Sequence, residues 1–241
     1  MPKFLHHESC PSCGSKDNLG VWDDGHKYCF GCKYYEPGTL DIRKVFSQQA
    51  PLDHKPWDFP YDAQEGHTVK SLKWLLSCGI TFQLQKKHGI MWSPSRQMAC
   101  WQVKGATLGK NIAWQGRNFS PEAKTKYFIS GNIHEDYTIL PHSYTDETLV
   151  LVEDYLSAIR VSEHYPCMPL FGCVCSLNVL QQLLTRFSSI IVWLDSDKLD
   201  NARKIALNAS MVNLPAQVLY TPKDPKEYTD NEIKEFLWTL K

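Results

Sequence analysis

The chain has 241 residues, 43% hydrophobic and 12% aromatic, enough to bury the core of one large or two modest domains. No run of 18 apolar residues occurs, which excludes a transmembrane helix and a membrane partner. Nine cysteines, an odd number, with no apolar signal core in residues 1–7, exclude a disulfide framework and point to reduced thiols in a cytoplasmic protein.

The zero net charge hides an uneven distribution. Residues 61–145 hold 10 Lys/Arg against 5 Asp/Glu, and residues 146–241 hold 9 against 13. A basic middle suits phosphates, and an acidic end suits divalent cations.

In chain order, residues 1–39 are rich in Cys and turn residues and read as short strands and knuckles around a metal. Residues 40–60 carry Pro51, Pro56 and Pro60 and read as a linker, with one short helix over 40–46. Val69, Leu72, Leu75 and Leu76 fall on one face of a helix over 68–78, and Gly79 stops it. Strand-like runs follow at 89–93, 98–103 and 111–114, with turns at Gly105, Gly109 and Gly116.

From residue 148 the pattern changes. Apolar strands at 148–152, 168–171, 189–194 and 216–220 alternate with helices at 155–164, 177–187, 201–212 and 230–240. Continuous apolar strands separated by helices predict a parallel sheet covered on both faces. The fold class is therefore α/β. A small β-rich zinc ribbon (1–39) is joined by a linker (40–60) to a mixed α+β basic subdomain (61–145) and a parallel-sheet subdomain with a C-terminal helix (146–241).

Cys10-x2-Cys13 and Cys29-x2-Cys32, fifteen residues apart, are a strong zinc signal. Gly14 and Gly31 are placed to let the two knuckles turn. Four thiolates fill the tetrahedron of one zinc ion, so the site is closed and structural. What the ribbon displays is then decisive: Trp22, His26, Tyr28, Phe30, Tyr34 and Tyr35 interleave with Lys16, Lys27 and Lys33. Part of this set is expected to form the small core. The rest suits stacking on single-stranded bases and pairing with phosphate. His26 is read as a surface residue beside the zinc, not a ligand.

Two apolar strands end in carboxylates: Glu153-Asp154 after 148–152, and Asp195-Ser196-Asp197 after 189–194. Ligands of open parallel sheets bind beyond such carboxyl ends. In an extended segment Asp195 and Asp197 would face one Mg²⁺ ion together, with Glu153 from a neighbouring strand. Asp224, after the last strand, could complete a second metal site.

Together these features resemble the phage DNA primases that are fused to helicase in some short-tailed phages, and more distantly the bacterial DnaG type. The likeness is carried by several segments in order. These are Asp24–Cys29 leading into the second knuckle; Gln115-Gly116-Arg117 with Lys126-Tyr127-Phe128; Leu151-Val152-Glu153; and Phe171-Gly172. Val192 to Asp197 with Ala202-Arg203-Lys204, and Lys223-Asp224-x-x-Glu227, complete it. The parallel-sheet half resembles a Toprim subdomain.

The resemblance implies synthesis of a short RNA primer from NTPs on a single-stranded DNA template, in a host-cell cytoplasm. Glu153, Asp195 and Asp197 would be catalytic, binding one or two Mg²⁺ with Asp224. Arg117, Lys124 and Lys126 would hold template or nucleotide phosphate, and the zinc domain, including His26, would hold the template. A separate replicative helicase and DNA polymerase would be partners. Where the family often reads Glu-Gly-x-x-Asp, this chain has Glu153-Asp154-Tyr155-Leu156-Ser157, so one carboxylate is missing unless Asp154 replaces it. Gly105-x3-Gly109-Lys110-Asn111 lacks the spacing and hydroxyl of a P-loop, so no helicase motor is expected here. The changed Glu153-Asp154 motif keeps one alternative open, a non-catalytic single-stranded DNA-binding or replication-adaptor protein on a primase fold.

Overall fold

The computed structural model describes residues 2–38, 58–142 and 147–240. The expected helix over 40–46 and most of the expected linker lie outside the described residues. Contacts divide the chain into two compact units, Met1–His54 and Lys55–Lys241.

The first unit is an antiparallel sheet of four short strands in sequence order: β1 (Phe4–Glu8), β2 (Leu19–Trp22), β3 (Lys27–Cys29) and β4 (Tyr35–Glu36). Its buried apolar residues are Cys10, Leu19, Val21 and Cys29, with Tyr34 packed against the cluster of Cys10, Leu19 and Cys29. A core of that size cannot offset the chain entropy of some forty residues. The first knuckle closes as expected and the second does not. Gly14 does adopt a positive φ of 70°, donating its N–H to the Cys10 carbonyl at 2.9 Å. In the second knuckle the left-handed residue is Lys33 (φ 62°), whose N–H reaches the Cys29 carbonyl at 2.9 Å, and not Gly31. Gly31 instead lies against the Asn18 side chain, where a Cβ would sit 3.2 Å from its amide nitrogen.

The second unit begins with α1 (Val69–Ser77) and α2 (Phe82–Lys87), N-capped by Thr68 and Thr81. An antiparallel sheet follows in the order β5 (Met91–Ser93), β6 (Met98–Lys104), β7 (Asn111–Asn118) and β8 (Tyr127–Gly131). Neither α2 nor β8 was apparent from sequence pattern. Gly116 is not a turn residue: it lies inside β7, paired with Cys100 and Phe128. A side chain there would press on Met98 and on the Trp114 ring, each 3.1 Å from a built Cβ, so the glycine serves close packing within β7, which runs to Asn118.

The remaining elements are β9 (Thr148–Val152), α3 (Tyr155–Val161), β10 (Cys167–Pro169), α4 (Leu177–Leu184), β11 (Ser189–Val192), α5 (Leu199–Met211), β12 (Ala216–Val218) and α6 (Asp230–Trp238). The strands form an all-parallel sheet in the order β10-β9-β11-β12. Strand alternation assigns its faces. Val150, Val152, Ile191 and Trp193 point to one core with α3 and α6; Leu149, Leu151, Ile190 and Val192 point to the other with α4 and α5. The first core also takes Trp101, Val103, Ile112 and Ala113 from the antiparallel sheet, so the two sheets share one apolar interior. The carboxyl ends of β9 and β11, adjacent in the sheet, thus lie on a rigid base.

Candidate functional site

In the first unit, the sulfur atoms of Cys10, Cys13, Cys29 and Cys32 lie within 4.8 Å of one another. Cys10 Sγ is 3.6 Å from Cys32 Sγ, and Cys13 Sγ is 3.8 Å from Cys29 Sγ. A tetrahedron with zinc–sulfur bonds of about 2.3 Å has edges of about 3.8 Å, so these distances fit zinc. The backbone N–H of Tyr34 holds the Cys32 thiol down to about 6. The N–H of Ser15 acts likewise on Cys13, yet the crowding of Cys32, Cys10 and Cys29 sends that thiol up to about 11. Four thiolates share this space only with a cation between them.

The neighbouring histidines are engaged elsewhere. His6 Nε2 is 3.0 Å from Glu8, and His26 Nδ1 is 2.5 Å from Asp24 Oδ1. The His26 ring stacks on Trp22 with centroids 4.4 Å apart and planes at 13°. Phe4, Phe30, Tyr28 and Tyr35 continue this aromatic surface, and Phe30 and Tyr35 are 60% and 58% exposed. Of the expected aromatic set only Tyr34 packs on the core. Lys27 is paired with Glu8 at 3.0 Å.

In the second unit, Glu153 directly follows β9, and Asp195 lies three residues beyond the end of β11. Both are half-buried. Glu153 Oε2 and Asp195 Oδ1 are shielded from solvent and have no hydrogen-bond partner among the described residues. Burial pushes the Asp195 carboxyl up to about 7; Lys226 opposes this, while Asp224, Glu153 and Asp154 add to it. Glu153 is raised too, mainly by burial, with Lys198 opposing and Asp154, Asp197 and Asp224 reinforcing. Two shielded carboxylate oxygens that repel each other and lack donors fit a hard divalent cation.

The Asp-x-Asp segment departs from the extended form expected of it. Ser196–Lys198 is a 3₁₀ turn, closed by the Lys198 N–H on the Asp195 carbonyl at 2.9 Å, which feeds the chain into α5. Asp197 is consequently turned outward, with its side chain 70% exposed, and is paired with Lys198. Among the described residues, the four cysteines are the one His/Cys/Asp/Glu group of three or more with all ligand atoms within 4.8 Å.

Asp154 caps α3, accepting from the N–H groups of Leu156 and Ser157 and from Ser157 Oγ at 2.7 Å. Its Oδ2 also accepts from Lys226 Nζ at 2.9 Å, and Asp224 Oδ2 accepts from the same Nζ at 2.9 Å. Burial would depress this ammonium, but Asp154 and Asp224 hold it well above the usual lysine range. Sequence reasoning missed Lys226, because a lysine among alternating charges reads as a surface residue.

The Arg117 guanidinium lies against both Trp74 and Tyr127, 5.1 Å from each ring centroid, and the two rings meet edge-to-face with centroids 6.5 Å apart. The Tyr127 phenol is pushed up to about 12 by burial and then by Asp154, with Arg117 and Lys226 opposing, so the basic and acidic groups meet around this ring. Lys124 and Lys126 are exposed on the segment entering β8. Arg96, which carried no sequence signal, lies over Trp114 and Phe128 at 5.4 and 5.9 Å.

No protein-family model matches the chain. A DNA helicase/primase of Enterobacteria phage T3 is 27% identical over 266 residues, covering 98% of this chain and 44% of the phage protein. The chain thus spans less than half the length of that curated relative. The crystal structure of the primase fragment of the bacteriophage T7 primase-helicase protein is similar at TM-score 0.55 and 20% identity, covering 98% of this chain and 99% of that one. The Aquifex aeolicus primase, comprising zinc-binding and RNA polymerase domains, is similar at TM-score 0.59 and 14% identity, covering all of this chain and 79% of that one. The chain shares the fold of these primase structures, as its sequence motifs led us to expect.

Proposed function

We propose that this chain is a DNA primase, synthesising short RNA primers from NTPs on single-stranded DNA. The observation that carries this reading is the pair of shielded, unpartnered carboxylate oxygens of Glu153 and Asp195 beyond adjacent parallel strands. Glu153 and Asp195, with Asp197 after it leaves Lys198, would hold Mg²⁺. Bound there, the metal would lower the pKa of the attacking 3′-hydroxyl and neutralise charge on the incoming triphosphate.

The chain's own groups supply the positioning. Trp74 and Tyr127 hold the Arg117 guanidinium against their rings before substrate arrives, which suits a phosphate in a defined place. Lys124 and Lys126, exposed beside it, hold template or nucleotide phosphate more loosely. On the zinc unit, Trp22, His26, Phe30 and Tyr35 form a stacking surface for template bases. Helicase and DNA polymerase activities would be supplied outside these 241 residues.

The test is to incubate the protein with single-stranded DNA of varied sequence, four NTPs and Mg²⁺, with and without a replicative helicase. Oligoribonucleotides of a few residues are expected. No product on any template would contradict the reading.

A further inference from the structure

The site contains two sets of carboxylates. Glu153 and Asp195 keep shielded oxygens without partners. Asp154 and Asp224 do not: both are bonded at 2.9 Å to Lys226 Nζ, whose side chain is only 16% exposed. The lysine is held firmly. The 3₁₀ turn Pro225–Glu227 that carries it packs on α3 with Pro225 buried, and the Glu227 N–H closes the turn on the Asp224 carbonyl at 2.9 Å. Asp154 is anchored at the start of α3 by three further hydrogen bonds.

The ammonium bridging the two carboxylates occupies oxygens that a second divalent ion would need as ligands. Mg²⁺ needs oxygen ligands at about 2.0–2.1 Å in near-octahedral array. Asp154 and Asp224 cannot offer those while they hold Nζ, and the lysine's own charge repels a dication. The residue at the missing carboxylate position, Ser157, spends its hydroxyl on Asp154 and offers no charge.

We propose that Lys226 is a resident cation replacing one metal ion, so that the acidic site binds a single divalent ion at Glu153 and Asp195. The proposal rests on reading those two residues as metal ligands. Lys226 is then a positioning residue, which fixes Asp154 and Asp224 and supplies permanent positive charge next to the ion. Asp224 is assigned to the lysine and not to a second magnesium.

The experiment counts ions directly. The zinc-loaded 241-residue protein is titrated with Mn²⁺, and free ion is followed by its electron paramagnetic resonance signal. Wild type should bind one Mn²⁺ at the acidic site and Asp195→Asn none. Lys226→Gln should bind two, with line broadening from a neighbouring ion, and Lys226→Arg should retain one. Two tight ions in the wild type, or none, would overturn the proposal even if Lys226→Gln failed to fold. A count of one in a folded Lys226→Gln would overturn it as well. Primer synthesis is measured separately: the expected counts without RNA product would reject the primase reading and leave the metal replacement standing.

Discussion

Replacing Asp195 by asparagine is expected to stabilise the magnesium-free protein. In the native state its carboxyl rises from 3.8 to about 7, because it is half-buried beside Asp224, Glu153 and Asp154. A native pKa above the unfolded one means that the folded chain binds the extra proton between those values. Stability therefore falls as pH rises from about 4 to about 7, and the full cost is present above 7. Carried wholly into folding, the shift corresponds to roughly 4 kcal/mol. Solvent reaches this half-buried group, and screening reduces the figure to about 2 kcal/mol. For a unit of this size that is a rise of about 4–8 °C in Tm. Among the described residues, Asp195 Oδ1 has no hydrogen-bond partner and the side chain caps no helix, so the asparagine forfeits no such bond.

The assay is urea unfolding of wild type and Asp195→Asn at several pH values, in magnesium-depleted buffer without chelator so that zinc is kept. The variant should be the more stable at pH 8, and its advantage should shrink toward pH 4. Adding Mg²⁺ should stabilise wild type and leave the variant unchanged. Equal stability at pH 8, or Mg²⁺ stabilisation of both proteins, would refute the reasoning.

Three further outcomes are expected. Cys29→Ala should lower the zinc content from one ion per chain to none and unfold the first unit, since metal binding of about 10–16 kcal/mol makes up for a core of only four buried apolar residues; native-like amide protection of residues 2–38 without zinc would contradict this. Tyr35→Ala and Phe30→Ala should each weaken single-stranded DNA binding by about 1–3 kcal/mol in fluorescence anisotropy if a base stacks there, and unchanged affinity in both would remove that surface from the template path. Arg117→Lys keeps the charge but not the planar fork that lies against Trp74 and Tyr127; primer yield should fall roughly tenfold or more with zinc content unaltered, and full activity would show that the arginine only packs on these rings.

Much of this architecture was legible in the sequence because burial writes a strong pattern. The strand 148–152 is buried on both faces, so its apolar run is continuous and its bounds are sharp. The zinc knuckles were legible because ligation dictates residue type and spacing together. β8 was not: most of its residues are exposed, so no alternation marks it. Helix α2 is six residues long, too short for a helical period to show. At the acidic site, Glu153 and Asp195 stood out by their place after apolar strands. The outward turn of Asp197 depends on one backbone hydrogen bond, and the bridge from Lys226 to Asp154 spans 72 residues. Neither leaves a local signal. At the second knuckle a lysine takes the left-handed conformation that residue preference would give to glycine.

The central claim is that the acidic end of the parallel sheet joins nucleotides. It is tested most directly by comparing wild type with Asp195→Ala/Asp197→Ala for synthesis of short RNA from labelled NTPs on single-stranded DNA with Mg²⁺. Wild type should make oligoribonucleotides, and the double variant should make none while keeping its zinc and its DNA binding. Equal synthesis by both proteins would contradict the account.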